Sequence, residues 1–218
     1  MKKTFLIFAL MLLIGCSEDD ANPNPATPPT NEVKCTKDHQ PKGDRLLGMD
    51  ILDPPTGGTF DENYSKSKEF GLQFTGLHIP WDKIEQTPGN LKDPDDSLSS
   101  MNSFCSDKNI KLSLTIRPID LTGKTVPTDL INSRFNAVIM KNRFKNLIDF
   151  IFTKIDYTLL TSLQIGNEID HYDTTSEHPD FWSDYGEFLY EIRSYIDVKY
   201  PELKTGFTVT LLGNNGQS

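Results

Sequence analysis

The sequence predicts an α/β fold, a (β/α) TIM-type barrel that is incomplete, with about five of the eight strands of a full circuit present. Short apolar runs of strand length alternate with longer segments of helical period. That order implies a parallel sheet with helices packed on it, because parallel neighbours need a crossover. No glycine-rich phosphate loop of the G-x-G-x-x-G or G-x-x-x-x-G-K kind follows the first strand, which weakens the open, doubly wound alternative. Polar and aromatic residues gather instead just past the carboxyl ends of several strands, and in a barrel those positions share one rim.

Residues 1–15 stand apart from the fold. Lys2 and Lys3 precede an apolar run from Phe5 to Ile14, the pattern of a secretory signal peptide and too short for a comfortable membrane span. Leu13-Ile14-Gly15-Cys16 resembles a bacterial lipobox, in which the Cys16 thiol is lipidated and becomes the mature N-terminus. An ordinary cleaved signal or an uncleaved anchor is the alternative. Asp19 and Asp20 follow, and this acidic stretch resembles an export signal of surface lipoproteins. The expected location is the outer membrane at the cell surface, with the chain held by an N-terminal lipid anchor. Residues 16–40, which include NPNPATPPTNE, offer almost nothing to bury and are expected to form a disordered tether. Residues 41–218 then make one domain, the partial barrel.

Within that domain Arg45 to Leu52 is the first strand candidate, followed by a loop containing Pro54, Pro55, Gly57 and Gly58 and a short helix near Asp61 to Phe70. Leu72 to Ile79 is the second strand and Lys111 to Ile116 the third, with a helix over Leu98 to Lys108 between them. Ser162 to Gly166 is the fourth strand and Thr205 to Leu212 the fifth. The two long helices have the clearest signal. Phe144, Leu147, Ile148, Ile151, Phe152 and Ile155 recur at helical spacing, as do Phe181, Tyr185, Phe188, Leu189, Ile192 and Ile196. Each set presents one apolar stripe to a sheet. Pro201 breaks the second pattern before the fifth strand.

The chain carries a formal net charge of -9 and shows no basic cluster, so nucleic acid is not an expected partner. The four histidines, His39, His78, His171 and His178, are scattered without metal-ligand spacing, and no metal or cofactor is expected. No serine-nucleophile elbow is present. With Cys16 used for lipid, Cys35 and Cys105 remain. A disulfide between them is allowed in an exported protein, but Cys105 reads better as a small core residue.

The rim residues are Asp50 and Asp53, His78 and Trp81, Arg117 and Asp120, and Asn167, Glu168 and Asp170. Two of these groups carry a family resemblance. The segment Leu77-His78-Ile79-Pro80-Trp81-Asp82-Lys83-Ile84-Glu85-Gln86-Thr87-Pro88-Gly89 resembles the W-x-x-I-E-x-x-P-G passage after the second strand of clan A glycoside hydrolases, a group of retaining (β/α)₈ glycosidases. Ile165-Gly166-Asn167-Glu168 resembles their fourth-strand Asn-Glu signature, and the resemblance spans Leu46 to Leu212.

The resemblance implies that Glu168 is the general acid/base and that Asn167 orients the sugar 2-hydroxyl. A carboxylic acid suits that task, since a leaving glycosidic oxygen must be protonated. The implied partner is a carbohydrate, a polysaccharide or its oligosaccharides. His78 and Trp81 could line the sugar subsites, with Trp81 stacking on a pyranose face or else packing in the core. Arg117 and Asp120 could form a rim ion pair that orients Glu168 or binds hydroxyls, or a plain structural pair. His171, Tyr172 and Asp170 follow Glu168 closely and could border the cleft. Glu85 and Gly89 are expected to shape their loop.

A retaining glycosidase also needs a nucleophilic carboxylate about 5 to 5.5 Å from the acid/base, and in this clan it comes from the seventh strand. The sequence departs from the family there, so the expectation is a chain truncated before its nucleophile and inactive alone. A surface glycan-binding lipoprotein without catalysis is the rival reading, and an open-sheet domain with no glycan role is a third.

Overall fold

A computed structural model describes residues 43–51, 58–174 and 179–210. The predicted signal peptide, Cys16, the tether with Cys35 and His39, the loop with Asp53, His178 and the stretch from Leu211 lie outside the described residues. The chain divides into two units, Met1–Gly43 and Asp44–Ser218. The fold is that of the second.

Its elements run α1 (Phe60–Glu69), β1 (Phe74–Pro80), a helical turn α2 (Trp81–Ile84), a small hairpin of β2 (Glu85–Thr87) and β3 (Asn90–Leu91), then α3 (Ser97–Lys108). The chain continues with β4 (Lys111–Asp120), β5 (Gly123–Lys124), α4 (Val138–Ile151), β6 (Leu160–Asn167), α5 (Phe181–Lys199) and β7 (Thr205–Gly206). Local chemistry places the helix starts. Thr59 and Glu62 close a capping box on α1. Asp93 reaches across a tight turn and accepts the Leu98 and Ser99 N–H groups at 2.8 and 2.9 Å, satisfying donors that the first turn of α3 leaves open.

The sheet order is β1-β4-β6-β7, all parallel, and β5 folds back antiparallel on β4. Successive strands are therefore immediate neighbours, with a helix in each crossover. This is the progression of a barrel wall, because a doubly wound sheet reverses its order at a switch point. The first predicted strand is reduced to a single parallel bridge, Gly48 to Phe74. There the Phe74 ring lies over Gly48 so closely that a Cβ would meet it at 2.1 Å. The fifth is a two-residue ladder at Thr205 and Gly206, prolonged by bonds at Thr208.

Strand register separates two faces, since alternate side chains point opposite ways. Leu77, Leu114 and Leu163 align, as do Ile79, Ile116 and Ile165. On this face the core closes against Phe144, Leu147, Ile148 and Ile151 of α4 and Phe181, Tyr185, Phe188, Ile192 and Ile196 of α5. The interleaved positions are polar: His78, Thr115 and Gln164 align, and so do Gly76, Ser113 and Ser162. Ser113 Oγ and Ser162 Oγ lie 3.2 Å apart, and Gln164 Nε2 donates to Ser162 Oγ at 3.1 Å. One face thus holds the hydrophobic core and the other is built from hydrogen-bonding groups. Among the described residues no helix is long and apolar enough to cross a membrane.

Candidate active site at the strand ends

The rim is set by a local irregularity. Ile116 pairs with Ile165, yet Asp120 pairs with Asn167, so β4 takes two more residues than β6 to reach the edge. A bulge of this kind bends its strand and re-aims side chains. Here it brings Asp120 Oδ1 to 2.9 Å from Asn167 Nδ2, which donates to it. Asp120 Oδ2 accepts from Arg117 Nη1 at 2.6 Å. Arg117 is half-buried, and its Nε has no partner among the described residues.

Asn167 and Glu168 follow Gly166, whose φ of +91° only glycine adopts freely. A Cβ on Gly166 would also lie 2.6 Å from the Tyr185 hydroxyl. Glu168 itself has a left-handed φ of 48°, an uncommon backbone state for a residue with a side chain. This twist leaves its carboxyl partly in solvent, with the side chain 38% exposed. His171 Nε2 stands 3.8 Å from Glu168 Oε2, and the His171 N–H donates to the Glu168 carbonyl at 3.0 Å. Across the rim His78 Nε2 is 3.5 Å from Asp50 Oδ2, and both side chains are open to solvent.

The strand-end geometry therefore brings Arg117, Asp120, Asn167, Glu168 and His171 together in one hydrogen-bonded and charged group. Two sequence-predicted residues lie outside this group. Trp81 is fully buried, its ring edge-on to Phe144 with centroids 5.1 Å apart, so no indole face is free for a sugar. Core packing, the other reading of this residue, is what the fold uses. Tyr172 is 6% exposed and packs against Phe135 and Phe181. The turn after Glu168 rotates it toward the helices. Asp120 is tied through one carboxylate oxygen to Arg117 and through the other to Asn167. Glu85 shapes its loop as expected, and Cys105 lies in the core.

Two residues of this site were not singled out in the sequence. Thr208 Oγ1 accepts the Glu168 N–H at 2.9 Å, and Thr210 donates to Asp170 Oδ2 at 2.5 Å. Burial pushes the Asp170 carboxyl up, but the bonds from the Thr210 hydroxyl and N–H outweigh it and hold the group below the usual carboxylate range. The only signal was the alternation Thr208-Val209-Thr210. A strand residue's partner across the sheet is not written beside it.

Similar architecture occurs in solved glycosidases. An exo-β-1,4-mannosidase from Opitutaceae bacterium strain TAV5 is 15% identical with a TM-score of 0.54, covering 73% of this chain and 31% of that one. A β-glucosidase from Exiguobacterium marinum is 12% identical with a TM-score of 0.52, covering 69% of this chain and 36% of that one. A GH5_18 protein variant from Bifidobacterium longum subsp. longum, in complex with Manβ1-4GlcNAc, is 8% identical with a TM-score of 0.53, covering 68% and 37%. The chain spans about a third of the length of these structures. No family model and no curated protein matches the sequence. The chain has a glycosidase-like fold, part of a (β/α) barrel.

Proposed function

We propose that this chain is part of a lipid-anchored glycoside hydrolase that cleaves a polysaccharide or oligosaccharide by a retaining mechanism, with Glu168 as acid/base. The observation that carries this reading is the presentation of Glu168. Its carboxyl leaves the sheet at the carboxyl end of β6, beside an amide that is already oriented, in a fold shared with solved glycosidases. Asn167 has two Nδ2 hydrogens, and the bond to Asp120 uses one, so the other is available to a sugar hydroxyl. In this reading the nucleophile belongs to a part of the barrel outside the described residues. Cys16 carries the lipid that holds the protein at the outer membrane. No cofactor is needed, since proton transfer and carboxylate attack suffice.

The test is Glu168→Gln in a form carrying a whole barrel. Hydrolysis of unactivated glycosides should vanish while the circular dichroism spectrum stays unchanged, and wild-type-like product release would sink the assignment. A non-catalytic glycan-binding role is the second reading. It is favoured by the other rim carboxylates, because Asp120 is locked between Arg117 and Asn167 and Asp50 faces His78. A carbohydrate-induced rise in the thermal midpoint without any product would select it.

A further inference from the structure

The Asn167–Asp170 segment is held from the side by the chain that follows β7. Ile169 donates its N–H to the Thr208 carbonyl at 3.2 Å, and Thr208 donates its own to the Gly166 carbonyl at 3.5 Å. The Thr208 hydroxyl adds three contacts. It accepts the Glu168 N–H at 2.9 Å and lies 3.1 Å from Asn167 Oδ1 and 3.4 Å from the Gly166 carbonyl.

The proton count fixes how these bonds run. A backbone N–H can only donate, so the hydroxyl oxygen accepts from Glu168 and its single hydrogen is left to donate. The shorter contact takes that hydrogen to Asn167 Oδ1. The amide of Asn167 is then pinned at both ends, with Oδ1 on Thr208 and Nδ2 on Asp120. The same hydroxyl braces the left-handed turn at Glu168, a backbone state that persists only when its surroundings over-determine it.

We infer that Thr208 is a positioning residue for the Asn167–Glu168 pair. One hydroxyl fixes the backbone from which the Glu168 carboxyl projects and selects which end of the Asn167 amide faces a sugar. Thr208 touches no substrate in this role, which rests on the reading of Glu168 as acid/base.

Thr208→Val keeps the shape of the side chain and removes both hydroxyl bonds, whereas Thr208→Ser keeps them. Nuclear magnetic resonance on the 218-residue chain reads the effect without turnover. The valine variant should speed exchange of the Glu168 amide hydrogen by about tenfold, the scale of one lost hydrogen bond. It should also shift the Asn167 side-chain amide signals, while amides across the centre of β4 stay within about twofold of wild type. The serine variant should restore the wild-type pattern. Identical Glu168 exchange and Asn167 signals in wild type and the valine variant would overturn the inference, as would equal changes in valine and serine variants. In a whole barrel that turns over glycosides, Thr208→Val should lower kcat while KM holds. A protein inactivated by Glu168→Gln but unaffected in kcat by Thr208→Val refutes the positioning role and leaves the acid/base assignment standing. Full activity of Glu168→Gln refutes the assignment instead.

Discussion

The indole N–H of Trp81 donates to Glu85 Oε2 at 2.8 Å, and water reaches neither side chain. The second carboxylate oxygen, Oε1, accepts the Gly89 N–H at 2.7 Å and the Arg143 guanidinium at 2.7 and 3.0 Å. Arg143 stands on α4 and also pairs with Asp129. The passage from Trp81 to Gly89 is thus a latch that ties the loop after β1 to α4, beyond α3 and β4 in the chain.

Removing the carboxylate should therefore harm stability directly. Glu85→Ala leaves the Trp81 indole N–H unsatisfied and takes from Arg143 one of its two carboxylate partners, Asp129 remaining, and removing one member of a buried pair costs up to about 3 to 5 kcal/mol. Urea unfolding checks this, with Trp81→Phe expected to lose only about 1 to 3 kcal/mol through the single unsatisfied partner.

Gly166→Ala should destabilise the chain by about 1 to 3 kcal/mol, because φ is +91° and the new methyl would press on Ile169 and Tyr185. Tyr185 donates its hydroxyl to the Ile165 carbonyl at 2.8 Å, so it cannot swing away without breaking that bond. Thermal unfolding of the alanine variant, compared with Gly186→Ala on the open side of α5, separates strain from helix propensity.

Acid should weaken the fold through Asp93. Burial raises this carboxyl, but the bonds from the Leu98 N–H, the Ser99 hydroxyl and the Ser99 N–H outweigh it, and the group titrates below its ordinary value of 3.8. For a depressed carboxylate the stabilisation is present above the unfolded value and is lost as pH falls through the lower folded value. Stability at pH 7 should drop by about 1 kcal/mol in Asp93→Ala, and its decline below about pH 4 should be shallower than in wild type. Urea titrations between neutral and acid pH measure both.

Cys105 should resist alkylation in the folded chain. It is fully buried, and desolvation pushes its thiol up to about 11, so little thiolate exists near neutral pH. Iodoacetamide followed by mass measurement should label it only after unfolding.

The helices were legible because their burial is periodic. Phe144, Leu147, Ile148 and Ile151 repeat at helical spacing and all face the sheet, as do Phe181, Tyr185, Phe188, Ile192 and Ile196. The strands of β4 and β6 were legible as apolar alternation between helices. The first strand was less so, since whether Arg45 to Leu52 pairs depends on how Gly48 meets the Phe74 ring.

Trp81 shows where pattern ends. An aromatic after a strand suits a sugar platform and a core equally well, and only the position of Glu85 and Phe144 decides between them. The Asn167–Asp120 contact required a bulge in β4, and the hold on Glu168 required Thr208, 40 residues away. By itself the sequence determined the alternation of elements, the apolar stripes and the Asn-Glu pair at a strand end, because each is encoded in neighbouring residues. The tertiary structure decided which rim side chains meet, which are buried and which stay open. Those outcomes depend on strand register and hydrogen bonds between segments far apart in the chain.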